Sequence, residues 1–294
     1  MSTTKLAMLV SVFTMVCAIG CQCPFKRERP SESSETSGQT SGHVPTPSVS
    51  ASGDAYGTAP PAGSVAGPAR APIAGGFQRG IVEVVQDDFV VVGILNSGEG
   101  KVVLIDAGVA EDAGPIMAAL KKRGLGPEAV VAILFTHGDF DHTRGALKFP
   151  GAQLMALEAD VGLVAGKVSK YPLKPVRETG ITVTRALRDG EVVEVGDLKI
   201  EVFAVPGHTP GSAVYLVGGV LFLGDSAGAS VDGKLLGGDP QHTVDQELNR
   251  QSLLGLASKL ETRASEIHLM VPSHTKLFEA GLGPLLEYAG VIKK

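Results

Sequence analysis

Four short polar clusters each follow directly after an apolar run, and this arrangement restricts the possible fold more than any other feature. The clusters are T-H-G-D-F-D-H after A-I-L-F, P-G-H after V-F-A-V, G-D after L-F-L, and P-S-H after L-M-V. The apolar runs have the length and residue types of buried strands. Because loops at one edge of a sheet converge, we expect residues that are far apart in sequence to meet there.

The composition excludes nucleic acid as the main partner. The chain has 294 residues, a formal net charge of −5, no tryptophan and 5% aromatic residues. Binding to a phosphate backbone requires a basic face, and binding to single strands requires aromatic rings on which bases stack. We therefore expect a small-molecule substrate. Oligomeric state is left open.

The N-terminus predicts export. Lys5 precedes an apolar run, Leu6–Gly20, which is too short for a membrane span and has the character of a signal peptide. The run ends A-I-G-C, which resembles the lipobox of bacterial lipoproteins, although Ala18 stands where Leu is usual. We interpret residues 1–21 as a lipoprotein-type signal with Cys21 as the lipid anchor. The alternative is an ordinary cleaved signal with incidental cysteines.

Two further segments follow the signal. Residues 22–76 are rich in Ser, Pro and Gly and can fill no core, so we predict a disordered tether. Residues 77–294 form the predicted domain. All three cysteines precede residue 24, so a metal in this domain is held by nitrogen and oxygen. The expected location is the cell envelope, facing the outer membrane or periplasm, with membrane contact only through the lipid.

Strands and helices alternate through residues 77–294, which predicts an α/β domain. Strands are expected in the runs listed above and in several others, including I-T-V-T-R-A-L. Asp112 is predicted to cap a helix that runs to Gly124. Leucines from Leu248 to Leu260 predict a helix over 244–261, and a last helix is expected over 283–290.

Together these motifs resemble the metallo-β-lactamase superfamily over residues 80–294. The family motif T-H-x-H-x-D-H-x-x-G matches residues 136–145 except at one place. The elements G-H-T-P-G-S, L-F-L-G-D and V-P-S-H-T follow in the family order, and L-I-D-A-G precedes them. One such motif is weak, but four in order are specific. The resemblance implies a four-layer αββα sandwich, in which two mixed sheets pack face to face with helices outside.

The resemblance also implies two metal sites. The first site would comprise His137, Asp139 and His208; the second would comprise Asp141, His142 and His274; and Asp225 would bridge them. Two divalent cations, zinc by preference, would lower the pKa of a bridging water. Asp141 and Asp225 would be the catalytic residues that orient it. The implied activity is a metal-dependent, binuclear hydrolase acting on an ester, lactone, lactam, thioester or phosphodiester.

Asp139 departs from the family pattern, because it stands where an imidazole is expected. A carboxylate can ligate zinc, but it makes the site harder and favours iron or manganese. One alternative is therefore an iron-dependent oxidoreductase on the same fold. Another is a non-catalytic, surface-anchored binding module. Only 20 residues follow His274, so we expect no added C-terminal domain of the kind that glutathione-thioester hydrolases carry.

Several residues outside the motif ligands have weaker signals. The hydroxyl residues beside the motifs are candidate donors to the ligands: Thr136, Thr143, Thr209 and Ser226. We interpret Lys167, Lys170 and Lys174 as a solvated face or loop, with contact to an anionic substrate as the alternative. His242 matches no motif, and the alternative for it is to line a substrate cleft.

Overall fold

The computed structural model describes residues 77–293, and its larger sheet has seven strands in chain order. These strands are β1 (Phe77–Arg79), β2 (Val82–Asp87), β3 (Val90–Gly98), β4 (Lys101–Ile105), β5 (Val130–Leu134), β6 (Gln153–Leu157) and β7 (Arg185–Leu187). The first four strands pair antiparallel, and β4 to β7 pair parallel. The sheet is therefore mixed, as the resemblance implies.

The second sheet has five strands in the order β14-β11-β10-β9-β8. They are β8 (Val192–Val195), β9 (Leu198–Ala204), β10 (Ala213–Val217), β11 (Val220–Gly224) and β14 (Leu269–Pro272). All neighbours are antiparallel except β11 and β14, which run parallel. A short hairpin, β12 (Ala227–Ala229) with β13 (Leu235–Gly237), forms a separate two-stranded sheet.

Five α-helices accompany the sheets within residues 77–293. They are α1 (Gly114–Lys122), α2 (Phe140–Thr143), α3 (Val161–Val164), α4 (Gln246–Leu260) and α5 (Gly283–Tyr288). Asp245 caps α4 by accepting a hydrogen bond from the backbone N–H of Leu248, at 2.8 Å. In the part of the chain that the structure describes, no helix is both long and apolar enough to cross a membrane.

Three hydrophobic clusters establish the layer order. One cluster joins the facing sides of the two sheets, for example Val103 of β4 with Tyr215 of β10. A second packs the outer face of the five-stranded sheet against α4 and α5, and a third packs the outer face of the seven-stranded sheet against α1. Side chains alternate between these faces along each strand. The four-layer αββα sandwich is confirmed.

One helix prediction needs correction. Asp112 does not cap α1; the cap is Ala113, in the left-handed region at φ 51°. The Asp112 carboxylate instead accepts a hydrogen bond from the backbone N–H of Gly114, only two residues on, which forms a local turn. The helix predicted over 244–261 forms as α4; Leu253, Leu256 and Leu260 lie on its buried face, and Leu248 in its first turn is exposed.

Among the strands, the prediction over residues 181–187 was too long. The side chain of Thr184 accepts a hydrogen bond from the backbone N–H of Leu154 at 3.0 Å, so a side chain takes the place of a ladder bond and β7 begins at Arg185. The sequence analysis also missed β6, which packs between β5 and β7. The signal, the anchor at Cys21 and the tether lie outside the described residues and stay predictions.

Gly93 of β3 tests the face-to-face packing of the sheets. A methyl group at Gly93 would lie 2.6 Å from the ring of Phe222 in the opposite sheet. We expect Gly93→Ala to lower the free energy of unfolding by about 1–3 kcal/mol through overpacking. Gly255, on the exposed face of α4, has no atom within 4 Å of the same added carbon, so Gly255→Ala should raise stability by about 0.5–1 kcal/mol. Urea unfolding measures both, and equal effects would contradict this packing.

Candidate metal centre

The predicted ligands converge where strands end. His137 follows β5, Asp225 follows β11 and His274 follows β14, while α2 carries Asp141 and His142. Among residues 77–293, candidate ligand atoms that lie within 4.8 Å of one another form two groups. The groups are His137, His208 and Asp225, and Asp141, His142 and His274. The second group matches the residues expected at the second site; the first contains Asp225 in place of Asp139.

The tautomers of two histidines follow from their outer hydrogen bonds. Nδ1 of His274 lies 2.8 Å from the carbonyl oxygen of Phe89, and Nδ1 of His142 lies 2.8 Å from Oδ2 of Asp106. A carbonyl or carboxylate oxygen accepts and does not donate, so each Nδ1 carries the hydrogen. Nε2 of each ring therefore faces the centre, as metal-ligating histidines require.

The other two histidines have hydroxyl partners behind them. The hydroxyl of Thr136 donates to Oδ2 of Asp106 at 2.8 Å, so it accepts from Nδ1 of His137 at 3.1 Å. Nδ1 of His208 lies 3.3 Å from the hydroxyl of Thr243. For His137 this places a hydrogen on Nδ1 and leaves Nε2 facing the centre.

Two buried atoms at the centre have no aligned hydrogen-bond partner: Nε2 of His137 and Oδ1 of Asp225. Buried polar atoms are nearly always paired, so these two indicate a missing ligand. The second site has suitable spacing as well, since Nε2 of His142 lies 3.4 Å from Nε2 of His274. Two nitrogens at ~2.05 Å from a tetrahedral zinc lie about 3.3 Å apart. The residues present fit a bound cation.

The electrostatics of the centre also favour a cation. Burial would lower the pKa of His142, but the carboxylates of Asp106, Asp225 and Asp141 raise it well above its ordinary value. Burial would raise the pKa of Asp225, but His142 and His274 hold it well below its usual range. The Asp225 carboxylate thus stays ionised in a buried setting, where an added positive charge is strongly stabilised.

Asp139 has an unexpected partner, and the interpretation of Lys170 as solvated is corrected. The ammonium of Lys170 contacts Oδ2 of Asp139 and lies 3.3 Å from Nε2 of His208, with 6% of the side chain exposed. The same carboxylate oxygen is 3.4 Å from Nε2 of His137 and 3.2 Å from Nε2 of His208. Burial opposes ionisation of Asp139, but the adjacent rings of His137 and His208 and the charge of Lys170 hold its pKa far below the ordinary value. The folding of a loop brings Lys170 to Asp139, which is distant from it in sequence. The pattern of charges along the sequence does not reveal such a contact.

Two buried carboxylates that the sequence analysis did not single out support the ligand loops. Asp106 accepts from Thr136 and His142, and it sits in the left-handed region at φ 64°. Asp160 accepts from the backbone N–H of Gly138 at 2.9 Å and of Gly211 at 2.8 Å, so it joins the loops that carry His137 and His208. The D of L-I-D-A-G was a usable signal for Asp106; Asp160 had none.

The four hydroxyl residues that were expected to donate to the ligands differ in what they contact. Thr136 does contact the ligand rings, but its hydroxyl donates to Asp106 and accepts from Nδ1 of His137. The hydroxyl of Thr143 instead bonds to the backbone of Asp139. That of Thr209 bonds to Asp160 and Ser212. That of Ser226 bonds to the backbone of Val205. His242 is exposed over 57% of its side chain and lies 3.3 Å from Asp239, away from the ligand groups.

Comparison with known proteins identifies the family of this chain. The model of the metallo-beta-lactamase superfamily matches residues 85–265. The chain belongs to the metallo-β-lactamase superfamily. Within it, the chain is 33% identical over 147 residues to a hydroxyacylglutathione hydrolase of Cronobacter sakazakii, covering 50% of this chain and 51% of the relative. It is 29% identical over 161 residues to that of Xanthomonas axonopodis, covering 55% of each.

Solved structures of the superfamily agree on the fold. A subclass B3 metallo-beta-lactamase of Bradyrhizobium japonicum has a TM-score of 0.54 at 22% identity, covering 74% of this chain and 89% of that one. A B3 enzyme described as having an active-site glutamic acid has a TM-score of 0.54 at 20% identity, covering 72% and 84%. At these identities the likeness shows the fold alone. The chain spans about half the length of the curated relatives that it matches.

Asp106 provides a test of the support behind the ligands. Asparagine tolerates the left-handed backbone, but Asp106→Asn removes the charge and sets an amide where Thr136 and His142 need an acceptor. We expect metal affinity to fall about 10- to 100-fold, as measured by competition with a chromophoric chelator. Asp232→Asn, in an exposed turn, is the control. Equal affinities for the two variants would show that Asp106 does not orient the ligands.

Proposed function

We propose that this protein is a metal-dependent hydrolase whose reaction centre lies among His137, His142, His208, His274, Asp141 and Asp225. One observation carries the proposal. The imidazoles have Nδ1 bonded outwards and Nε2 directed inwards, and the inward set includes a buried nitrogen and a buried carboxylate oxygen without aligned partners. Family membership supports hydrolysis as the reaction type.

The chain's own residues would position the reactants. A bound divalent cation, zinc by preference, supplies Lewis acidity that lowers the pKa of water. Asp225 lies within 3.7 Å of ring nitrogens of both ligand groups, so its carboxylate can orient a water between them. Asp141, 3.4 Å from His274, can accept the proton that this water loses. Asp106 keeps His142 in the tautomer that leaves Nε2 free.

The proposal for the substrate class rests on the relatives and not on the geometry of the site. Several curated relatives are named hydroxyacylglutathione hydrolase, so a thioester is the first substrate to test. The other candidates are the ester, lactone, lactam and phosphodiester. The alternative function is an iron-dependent oxidoreductase, because Asp139 adds a hard oxygen ligand beside the first site. If the predicted signal and anchor operate, the substrate is one met at the cell envelope.

His142 provides the decisive substitution. We expect His142→Ala to lower kcat/KM for hydrolysis of a model thioester or ester by at least about 1,000-fold, because it removes a buried ligand and with it several kcal/mol of charge stabilisation. Metal content should fall in parallel. His242→Ala is the matched control, since this histidine is exposed and outside both groups, and it should retain activity and metal. Full activity in His142→Ala would refute the proposal, as would predominant iron with redox activity and no hydrolysis.

A further inference from the structure

Lys170 is a buried side chain that the proposed hydrolytic centre does not use. It enters the first site from the loop between α3 and β7, and its ammonium lies between Asp139 and His208. With only 6% of its side chain exposed, it is not a surface lysine resting against an acid. Its presence bears on how many cations the centre holds.

The loop is anchored at its base. The hydroxyl of Thr179 donates to the carbonyl of Val164 at 2.7 Å, and the N–H of Thr179 donates to the carbonyl of Ala165 at 3.2 Å. Gly166 has φ 67°, and a methyl group there would meet the carbonyl of Arg177 at 1.9 Å, so the two arms of the loop lie in close contact. This base fixes where the loop leaves and rejoins the domain.

The loop is also anchored beyond Lys170. The neighbouring Tyr171 donates through its hydroxyl to the carbonyl of His242 at 3.3 Å, which ties the loop to the segment before α4. Lys167 and Lys174, in the same loop, are exposed. Of these three lysines, therefore, the fold directs only Lys170 into the site.

The ammonium engages the atoms that a cation in the first site would need. The Nε2 lone pair of His208 cannot accept an N–H from Lys170 and bind a metal at the same time. The same holds in part for Oδ2 of Asp139, which contacts the ammonium. A divalent cation placed here would also lie beside a buried ammonium, where repulsion is weakly screened. Lysine and metal are thus mutually exclusive at these atoms.

We propose that Lys170 is a built-in cation that competes with a metal for His208 and Asp139, so that the protein binds one divalent metal tightly, at Asp141, His142 and His274, and a second one, left with His137 and Asp225, only weakly. The inference rests on the proposed function and deepens it. It replaces the binuclear expectation with a centre that has one tight metal and one fixed ammonium. The second site is unaffected, because within residues 77–293 the ammonium of Lys170 bonds to Asp139 and His208 and to none of the three residues of that site.

Metal titration of the full chain tests this inference without measuring activity. The protein is stripped with chelator, and Zn²⁺ binding is followed by calorimetry and by metal content after desalting. The native chain should retain one zinc and bind the second at least about tenfold more weakly. Lys170→Met, an unbranched neutral replacement, should retain two zinc ions with the affinities brought closer by at least about tenfold. Lys170→Arg keeps the charge and should behave as the native chain.

Lys167→Met is the matched control, because it removes an exposed lysine from the same loop, and it should retain one zinc. Circular dichroism establishes that each variant is folded. Two equally tight zinc ions in the native chain would overturn the inference and leave the proposed function intact. A Lys170→Met protein that still retains only one zinc ion would also overturn the inference and leave the proposed function intact. No zinc in any folded variant would overturn both the inference and the proposed function.

Discussion

The carboxylate of Asp106 is the contact on which the centre depends. It accepts hydrogen bonds from the backbone and hydroxyl of Thr136 and from Nδ1 of His142. Through Thr136 it also fixes the ring of His137. One buried acceptor at the end of β4 therefore holds the strand end, the first motif and two imidazole tautomers. Because β4 and β5 are parallel neighbours, the sheet itself brings this acceptor beside the loop that it organises.

The sandwich and the site are two consequences of one topology. Strands β5, β9, β11 and β14 lie in two sheets that share an apolar interior, and the polar side chains follow where the strands end. The rigid interior fixes those ends, while Asp160 joins two of the following loops. Histidines held in this way present lone pairs to a common centre without rearrangement, which is the preorganisation that a metal site requires.

The layers and the convergence of the ligands could be predicted from the sequence, because β-branched runs and family motifs are local and ordered along the chain. The short β6, the cap at Ala113 and the contact of Lys170 could not. Each depends on tertiary context: β6 is completed by β5 and β7, and Lys170 is placed by a loop whose two arms meet at Gly166. The departure at Asp139 was visible in the sequence, but its partner was not.

The central claim is that the inward Nε2 atoms hold a metal. The most direct measurement is an anomalous difference map from crystals of the zinc-loaded protein, recorded on both sides of the zinc edge. The account predicts a peak about 2.0–2.1 Å from Nε2 of His142 and of His274. A map with no peak among the four inward imidazoles, or with zinc only at the exposed His242 and Asp239, would contradict it.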